Sequence, residues 1–198
     1  MELILASNNE KKLKELREIL TAMGHAVKSQ REAGLDFVAD ETGDTFLANA
    51  SIKAQAVVDK TGRAAIADDS GIVVEALDGA PGVDSAIYGG DLCKTDGDRL
   101  AYLLQNMEGE ENRRGQFVSA IVCIFPDGTR IEAEGRIAGE LLWEPRGDGG
   151  FGYDPIFFVP EAGCTFAEMP PELKNSLSHR GRALTEFRKK WETYHADK

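Results

Sequence analysis

The chain has 198 residues, of which 42% are hydrophobic, so it is long enough to bury one sizeable core. Its 34 Asp and Glu residues outnumber its 23 Lys and Arg residues, for a formal net charge of -11. This negative charge disfavours nonspecific binding to nucleic acid or to an anionic membrane, so a phosphate-bearing ligand needs a local basic patch.

The first third of the chain predicts two successive strand–helix units. Leu13, Leu16 and Leu20 recur at helical spacing after a short apolar run, and Gly24 ends the pattern. The predicted strands cover residues 2–6 and 25–30, and the predicted helices cover residues 10–24 and 42–62, the second beginning at Thr42 or Asp44 and ending at Gly62.

The rest of the chain predicts a mixed sheet. An Asp-Asp-Ser-Gly turn is expected inside the apolar segment 64–77, with a strand on either side, and a hairpin is expected to turn at Asp127-Gly128. The order of elements implies an α/β fold in which residues 1–198 form one domain with two lobes. The further predicted elements are strands at 64–69 and 71–77, a hairpin over 116–139, a short strand after a glycine turn, and helices from Thr95 to Met107 and from Pro171 to Tyr194.

Cysteine usage and hydropathy indicate the compartment. Cys93, Cys123 and Cys164 are widely spaced and form no CxxC pair, which favours reduced thiols over disulfides or zinc ligands. The N-terminal apolar run is too short for a signal peptide, and no segment approaches the roughly 18 apolar residues of a membrane helix. We therefore expect a soluble, cytoplasmic protein.

The sequence SNNEKK at residues 7–12 lies between the first predicted strand and helix. Unpaired backbone N–H groups and the helix dipole attract phosphate at such a position, and Lys11 and Lys12 add positive charge. The alternative is that Asn8 or Asn9 caps the helix while the lysines are solvated. A GxxxxGK[ST] phosphate loop is absent from the sequence.

The sequence GDGGFG at residues 147–152 has the GxGxxG spacing but is not a dinucleotide-binding motif. That motif opens a helix, whereas Pro155 and the apolar residues after it continue as an extended segment. The sequence predicts a glycine-rich turn that holds Phe151 and Tyr153 near a ligand. The alternative is a plain tight turn with two core aromatic residues.

The sequence SLSHRG at residues 176–181 places a histidine and an arginine close to Lys174. A lone His179 is typical of an ordinary surface or core position. Its proximity to Lys174 and Arg180 favours recognition of an anion or of the edge of a base.

Asp68 and Asp69 are adjacent carboxylates in an otherwise apolar segment. Buried carboxylates cost several kcal/mol unless they are paired, hydrogen-bonded or bound to metal, and two neighbours also repel each other. A divalent cation relieves both costs, and hard oxygen ligands without His or Cys favour Mg²⁺ or Mn²⁺. Glu41 is a candidate third oxygen ligand. The alternative is a helix cap or an acidic turn.

Together these motifs resemble the inosine triphosphate pyrophosphatase family, the Ham1-like phosphohydrolases that remove noncanonical purine nucleoside triphosphates. The resemblance rests on LASNNEKKLKE, DETGDTFLANASIKA, AIADDSG, GAPGVDSAIYGG, GGFGYDPIFF and KNSLSHRGRAL, which occur in this order over nearly the whole chain. It implies a long mixed sheet, an active-site cleft between two lobes, a homodimer, and hydrolysis of ITP, dITP or XTP to the monophosphate and pyrophosphate.

The resemblance also implies roles for individual residues. Asp69 resembles the proton acceptor as well as a magnesium ligand, with Glu41 as the other ligand, Asp68 as a further candidate and Mn²⁺ as a substitute ion. The residues that match the triphosphate side are Ser7, Asn8, Asn9, Glu10, Lys11, Lys12 and Lys53, with Ser70 facing the ligand. The residues that match the base side are Phe151, Gly152, Tyr153, Asp154, Lys174, His179 and Arg180.

Two positions depart from the family pattern, and two other functions compete with it. The pattern GxPGxYSARY reads GAPGVDSAIY here, with Asp84 in place of tyrosine and Ile87 in place of arginine.

A Maf-like pyrophosphatase of different base preference is one alternative function, which the SHRG sequence disfavours. A nucleotide sensor without turnover is the other, although binding alone needs fewer buried carboxylates than this chain carries.

Overall fold

The computed structural model describes residues 2–196, in which seven strands form one mixed sheet that is flanked by helices. The strands are β1 (Glu2–Leu5), β2 (Ala26–Ser29), β3 (Ala65–Val74), β4 (Arg114–Ile124), β5 (Arg130–Leu141), β6 (Phe157–Val159) and β7 (Cys164–Thr165). The helices are α1 (Glu10–Ala22), α2 (Phe46–Thr61), α3 (Asp96–Asn106), α4 (Pro171–Leu177) and α5 (His179–Ala196).

The strand order is β2-β1-β3-β4-β5-β6-β7. Strand β1 pairs in parallel with β2 and β3, as expected for two opening strand–helix units, while β6 pairs antiparallel with β5 and β7. In the described part of the chain, no helix is long and apolar enough to cross a membrane.

The chain divides into two compact units. The first contains the residues up to Asp69, Ser119–Gly135 and the residues from Arg182 onward. The second contains Ser70–Val118 and Arg136–Gly181. Four elements contribute residues to both units, namely β3, β4, β5 and α5. In β3 the first unit ends at Asp69 and the second begins at Ser70.

In the first unit, strand alternation separates two apolar layers. Leu5 of β1 and Ile66 of β3 pack with residues of α1 and α5, whereas their neighbours Ile4 and Ala65 pack with residues of α2. Side chains of successive strand residues point to opposite faces, so each face of this part of the sheet is covered by different helices. The same alternation assigns Asp68 to the face of Ile66, and Asp69 to the face of Ala65.

Most predicted elements are confirmed, with three corrections. Helix α2 begins at Phe46 with Thr45 as its N-cap, and not at Thr42 or Asp44. The expected Asp-Asp-Ser-Gly turn does not form, because β3 runs without a break from Ala65 to Val74, and residues 75–77 form a 3₁₀ turn instead of a strand. The expected last helix is two helices. Ser178 is extended between them, and its hydroxyl accepts a hydrogen bond of 3.1 Å from the Gly181 N–H, so that it caps α5.

Phe187 of α5 packs in the apolar layer that contains Leu5 and Ile66, and its side chain is fully buried. Phe187→Ala should lower the free energy of unfolding by about 3 to 5 kcal/mol, because it removes buried surface and leaves a cavity. The neighbouring exposed residue provides the control, since Arg188→Ala breaks a surface ion pair with Glu192. Urea unfolding followed by circular dichroism measures both, and equal midpoints would contradict this account of the core.

Candidate active site

In the first unit, Asp68 is held by two partners on different elements. One carboxylate oxygen accepts a hydrogen bond of 2.5 Å from the hydroxyl of Ser119 on β4, and the other lies 3.2 Å from the ammonium of Lys12 in the first turn of α1. Asp68 is 1% exposed and Ser119 is fully buried. The charge of this carboxylate is therefore balanced within the protein.

Asp69 is held by a different lysine. Lys53 of α2 donates a hydrogen bond of 2.8 Å to Oδ1 of Asp69 and another of 2.8 Å to Oε2 of Glu41. The second oxygen of Asp69, Oδ2, is buried and has no hydrogen-bond partner among residues 2–196. Asp69 thus offers one acceptor oxygen that the rest of the described chain does not use.

The proton affinities of this pair follow from burial and from charge. Burial raises the pKa of Asp69 above its ordinary value and outweighs the attraction of Lys53 and Lys12, which lowers it. Burial lowers the pKa of Lys53, but the attraction of Asp69 and the hydrogen bonds to Asp69 and Glu41 outweigh this effect and leave it raised. Lys53 therefore stays cationic, while Asp69 is a better proton acceptor than an exposed aspartate.

In the segment 7–12, Asn9 is the N-cap of α1. The side chain of Asn9 accepts hydrogen bonds of 3.1 Å from the backbone N–H groups of Lys11 and Lys12, and the Ser7 hydroxyl accepts one from the N–H of Asn9. The capping alternative from the sequence is thus correct for Asn9. These two N–H groups are therefore engaged by the protein itself.

In the second unit, Arg180 and His179 lie in the first turn of α5, and both are buried. The guanidinium of Arg180 donates a hydrogen bond of 3.0 Å to the hydroxyl of Ser70. The ring of His179 stacks on Phe117 with a centroid separation of 4.7 Å and an angle of 13°. Ser70 and Arg180, which were predicted from distant parts of the sequence, are therefore brought together.

The glycine-rich turn is organised by Asp154. One oxygen of this buried carboxylate accepts hydrogen bonds from the Phe151 N–H at 2.7 Å and from the Lys174 ammonium at 2.8 Å. Gly150 has φ +70°, and a Cβ there would lie 2.1 Å from the same oxygen, so the turn requires glycine. Cations surround the ring of Phe151, with Lys174 Nζ 4.9 Å and Arg180 Cζ 6.0 Å from its centroid.

Tyr153 has a structural contact in the same turn. Its side chain is in the core, and its hydroxyl donates a hydrogen bond of 2.9 Å to the carbonyl of Ser85. Burial raises the pKa of Tyr153, so the phenol stays neutral. For this residue the alternative of a core aromatic is confirmed, whereas Phe151 is only partly buried.

Two further residues contact the predicted site residues but were not predicted from the sequence, Ser119 and Asp96. Ser119 lies in a hydrophobic strand, where it is the one polar residue in the run FVSAIVCI. Asp96 begins α3, where its carboxylate accepts a hydrogen bond of 3.1 Å from the Gly152 N–H. A carboxylate at a helix start is typical of capping, so the sequence carried no sign that it fixes the glycine-rich turn.

Asp84 and Ile87, which depart from the family pattern, are exposed, Ile87 by 68%. No three His, Cys, Asp or Glu side chains come together as a metal site within the described range. Glu41 and Asp69 nevertheless supply hard oxygen atoms, and the buried Oδ2 of Asp69 suits a divalent cation or a water molecule.

Comparisons with known proteins give a consistent assignment. The sequence model of the Ham1 family matches residues 3–190. The chain is 49% identical to the dITP/XTP pyrophosphatase of Nostoc sp. over 92% of this chain and 90% of that protein, and 49% identical to that of Thermus thermophilus over 93% and 88%.

Solved structures agree with the sequence comparisons. The Staphylococcus aureus Ham1 protein superposes with a TM-score of 0.88 at 36% identity, over 98% of this chain and 100% of that chain. The dITP/XTP pyrophosphatase of Mycobacterium abscessus superposes with a TM-score of 0.74 at 42% identity, over 93% and 97%.

The ion pair of Lys174 and Asp154 gives a stability prediction. Lys174→Met should cost roughly 3 to 5 kcal/mol, because it leaves the Asp154 carboxylate buried without its cation. Adding Asp154→Asn should recover part of this loss, since the amide carries no charge and still accepts from the Phe151 N–H. Thermal unfolding measures the series. Lys189→Met, which breaks an exposed pair with Glu186, is the control, and an equally large loss there would contradict the argument.

Proposed function

The chain belongs to the Ham1 family, and from this premise we propose that it hydrolyses the noncanonical purine nucleoside triphosphates ITP, dITP and XTP to the monophosphate and pyrophosphate. The observation that carries the proposal is the state of Asp69, whose Oδ1 is fixed by Lys53 while its buried Oδ2 has no partner within residues 2–196. The names of the relatives favour this activity over a Maf-like enzyme or a sensor.

The lysine–carboxylate pairs of the first unit form the proposed triphosphate site. Lys12 and Lys53 neutralise its negative charge and position it for attack. Oδ2 of Asp69 accepts a proton from the attacking water, and its raised pKa suits this role. The water oxygen bonds to the α-phosphorus, and the bond from that phosphorus to the bridging oxygen breaks, so that pyrophosphate leaves in one step.

Magnesium is the proposed cofactor, with Mn²⁺ as a substitute. Glu41 and Asp69 are the residues that would hold it, because both present carboxylate oxygens beside the Lys53 ammonium. When bound, the ion would neutralise further charge on the phosphates and lower the pKa of a bound water. Asp68 already balances its charge with Lys12 and Ser119, so we assign it to the support of the site.

The second unit supplies the proposed base site. Phe151 offers a partly exposed ring for stacking, and the cationic donors of Lys174 and Arg180 lie close to it. Hypoxanthine and xanthine carry an oxygen acceptor at C6, which such donors satisfy. Adenine carries an amino donor there, so donor would meet donor.

A homodimer and a cytoplasmic location complete the proposal. The family resemblance implies the dimer, and Ile87 and Leu92 are large apolar side chains exposed by 68% and 77%. Cys93, Cys123 and Cys164 are free thiols, as expected in a reducing compartment. Sedimentation velocity of the purified chain tests the dimer.

The proposed role of Asp69 as general base predicts a large loss of turnover when its carboxylate becomes an amide. Asp69→Asn should reduce kcat with ITP by at least about 10²-fold, as is typical for loss of a general base. EDTA should abolish turnover, and Mg²⁺ should restore it. Asp59→Asn, an exposed aspartate on α2, is the control. Chromatography of the products tests the reaction itself, and early release of inosine diphosphate with orthophosphate would contradict it.

The base assignment predicts the order of substrates. ITP and XTP should react alike, GTP should be disfavoured by roughly 10- to 200-fold, and ATP should be very poor, because each unpaired buried group costs about 1 to 3 kcal/mol. Phe151→Ala should lower kcat/KM for ITP and GTP equally, since stacking does not distinguish purines. Phe158→Ala, a partly buried phenylalanine on β6, is the control. Equal cleavage of ATP and ITP would refute the assignment.

A further inference from the structure

Ser119 is a buried hydroxyl on β4, in a run of apolar residues. Both its neighbours, Val118 and Ala120, are buried, and Ser119 itself is fully buried. A hydroxyl in such a place is costly unless it is hydrogen-bonded. It donates to Oδ1 of Asp68, on the adjacent strand β3, at 2.5 Å.

This hydrogen bond restricts the orientation of the whole carboxylate. The two oxygens of Asp68 belong to one rigid planar group, so fixing Oδ1 on Ser119 also fixes the direction of Oδ2. That second oxygen lies 3.2 Å from the Lys12 ammonium, in a position where the side chain of Asp68 is fully buried and that of Lys12 is 15% exposed. Ser119 and Lys12 are therefore connected through one carboxylate.

We propose that Ser119 is a positioning residue that acts through Asp68 to hold the Lys12 ammonium ready for a polyphosphate. Lys12 has a long flexible stem, and ordering it costs conformational entropy that a bound phosphate otherwise has to supply. A carboxylate locked by Ser119 orders it before the ligand arrives. The inference rests on the proposed function, because that function assigns Lys12 to the triphosphate.

The test uses inorganic tripolyphosphate as the probe, so that it does not depend on turnover. Ser119→Ala should weaken its binding about 10-fold, within the range of coupling between neighbouring residues. Ser119→Thr restores the hydroxyl and should bind within about 2-fold of the wild type. Ser29→Ala is the matched control, because Ser29 is also buried in the first unit and its hydroxyl accepts from the Glu32 N–H. Isothermal calorimetry measures all four proteins.

A double-mutant cycle separates positioning from general destabilisation. In a Lys12→Met background, Ser119→Ala should change tripolyphosphate affinity by less than about 2-fold, since the ammonium that Ser119 positions through Asp68 is gone. A loss of the same size in both backgrounds, or an equal loss in Ser29→Ala, would overturn the inference. The proposed function fails separately, if wild-type protein binds tripolyphosphate but releases no pyrophosphate from ITP.

Discussion

The arrangement of the first unit depends on one constraint, the burial of two adjacent carboxylates in β3. At neighbouring positions their charges would repel strongly in a medium of low dielectric constant. Strand geometry relieves the problem because it turns successive side chains to opposite faces. Asp68 then meets Lys12 of α1, and Asp69 meets Lys53 of α2. On each face of this part of the sheet, one covering helix, α1 or α2, thus also supplies the cation that the face requires.

This constraint gives the helix starts a second function. Asn9 caps α1 and Thr45 caps α2, and each side chain accepts hydrogen bonds from backbone N–H groups in the first turn. The caps determine where each helix begins, and therefore where Lys12 and Lys53 reach the sheet. The caps use N–H groups that an uncapped helix start would present to a bound anion.

Local patterns predicted the helices and the β4–β5 hairpin, because periodicity reports which faces are buried. They failed at Asp68 and Asp69, where polar residues in an apolar run indicated a turn. Ion pairs to Lys12 and Lys53, which lie far away in the sequence, make the continuous strand possible, and no local pattern contains them. Family motifs included Asp68 and Lys12 but not Ser119, because the hydroxyl of Ser119 reaches Asp68 across neighbouring strands, a contact that no local motif contains.

Asp68 and Asp69 show how environment divides roles between identical residues. Both oxygens of Asp68 are used within the protein, one by a hydroxyl and one by an ammonium, so the carboxylate is a fixed anion. Asp69 uses one oxygen for Lys53 and keeps the other buried, without a partner in the described chain. Only the second arrangement leaves an atom available to take a proton or to bind a cation. The partners of each carboxylate, and not its identity, are therefore the reason why the proposed catalytic role falls to Asp69 and not to Asp68.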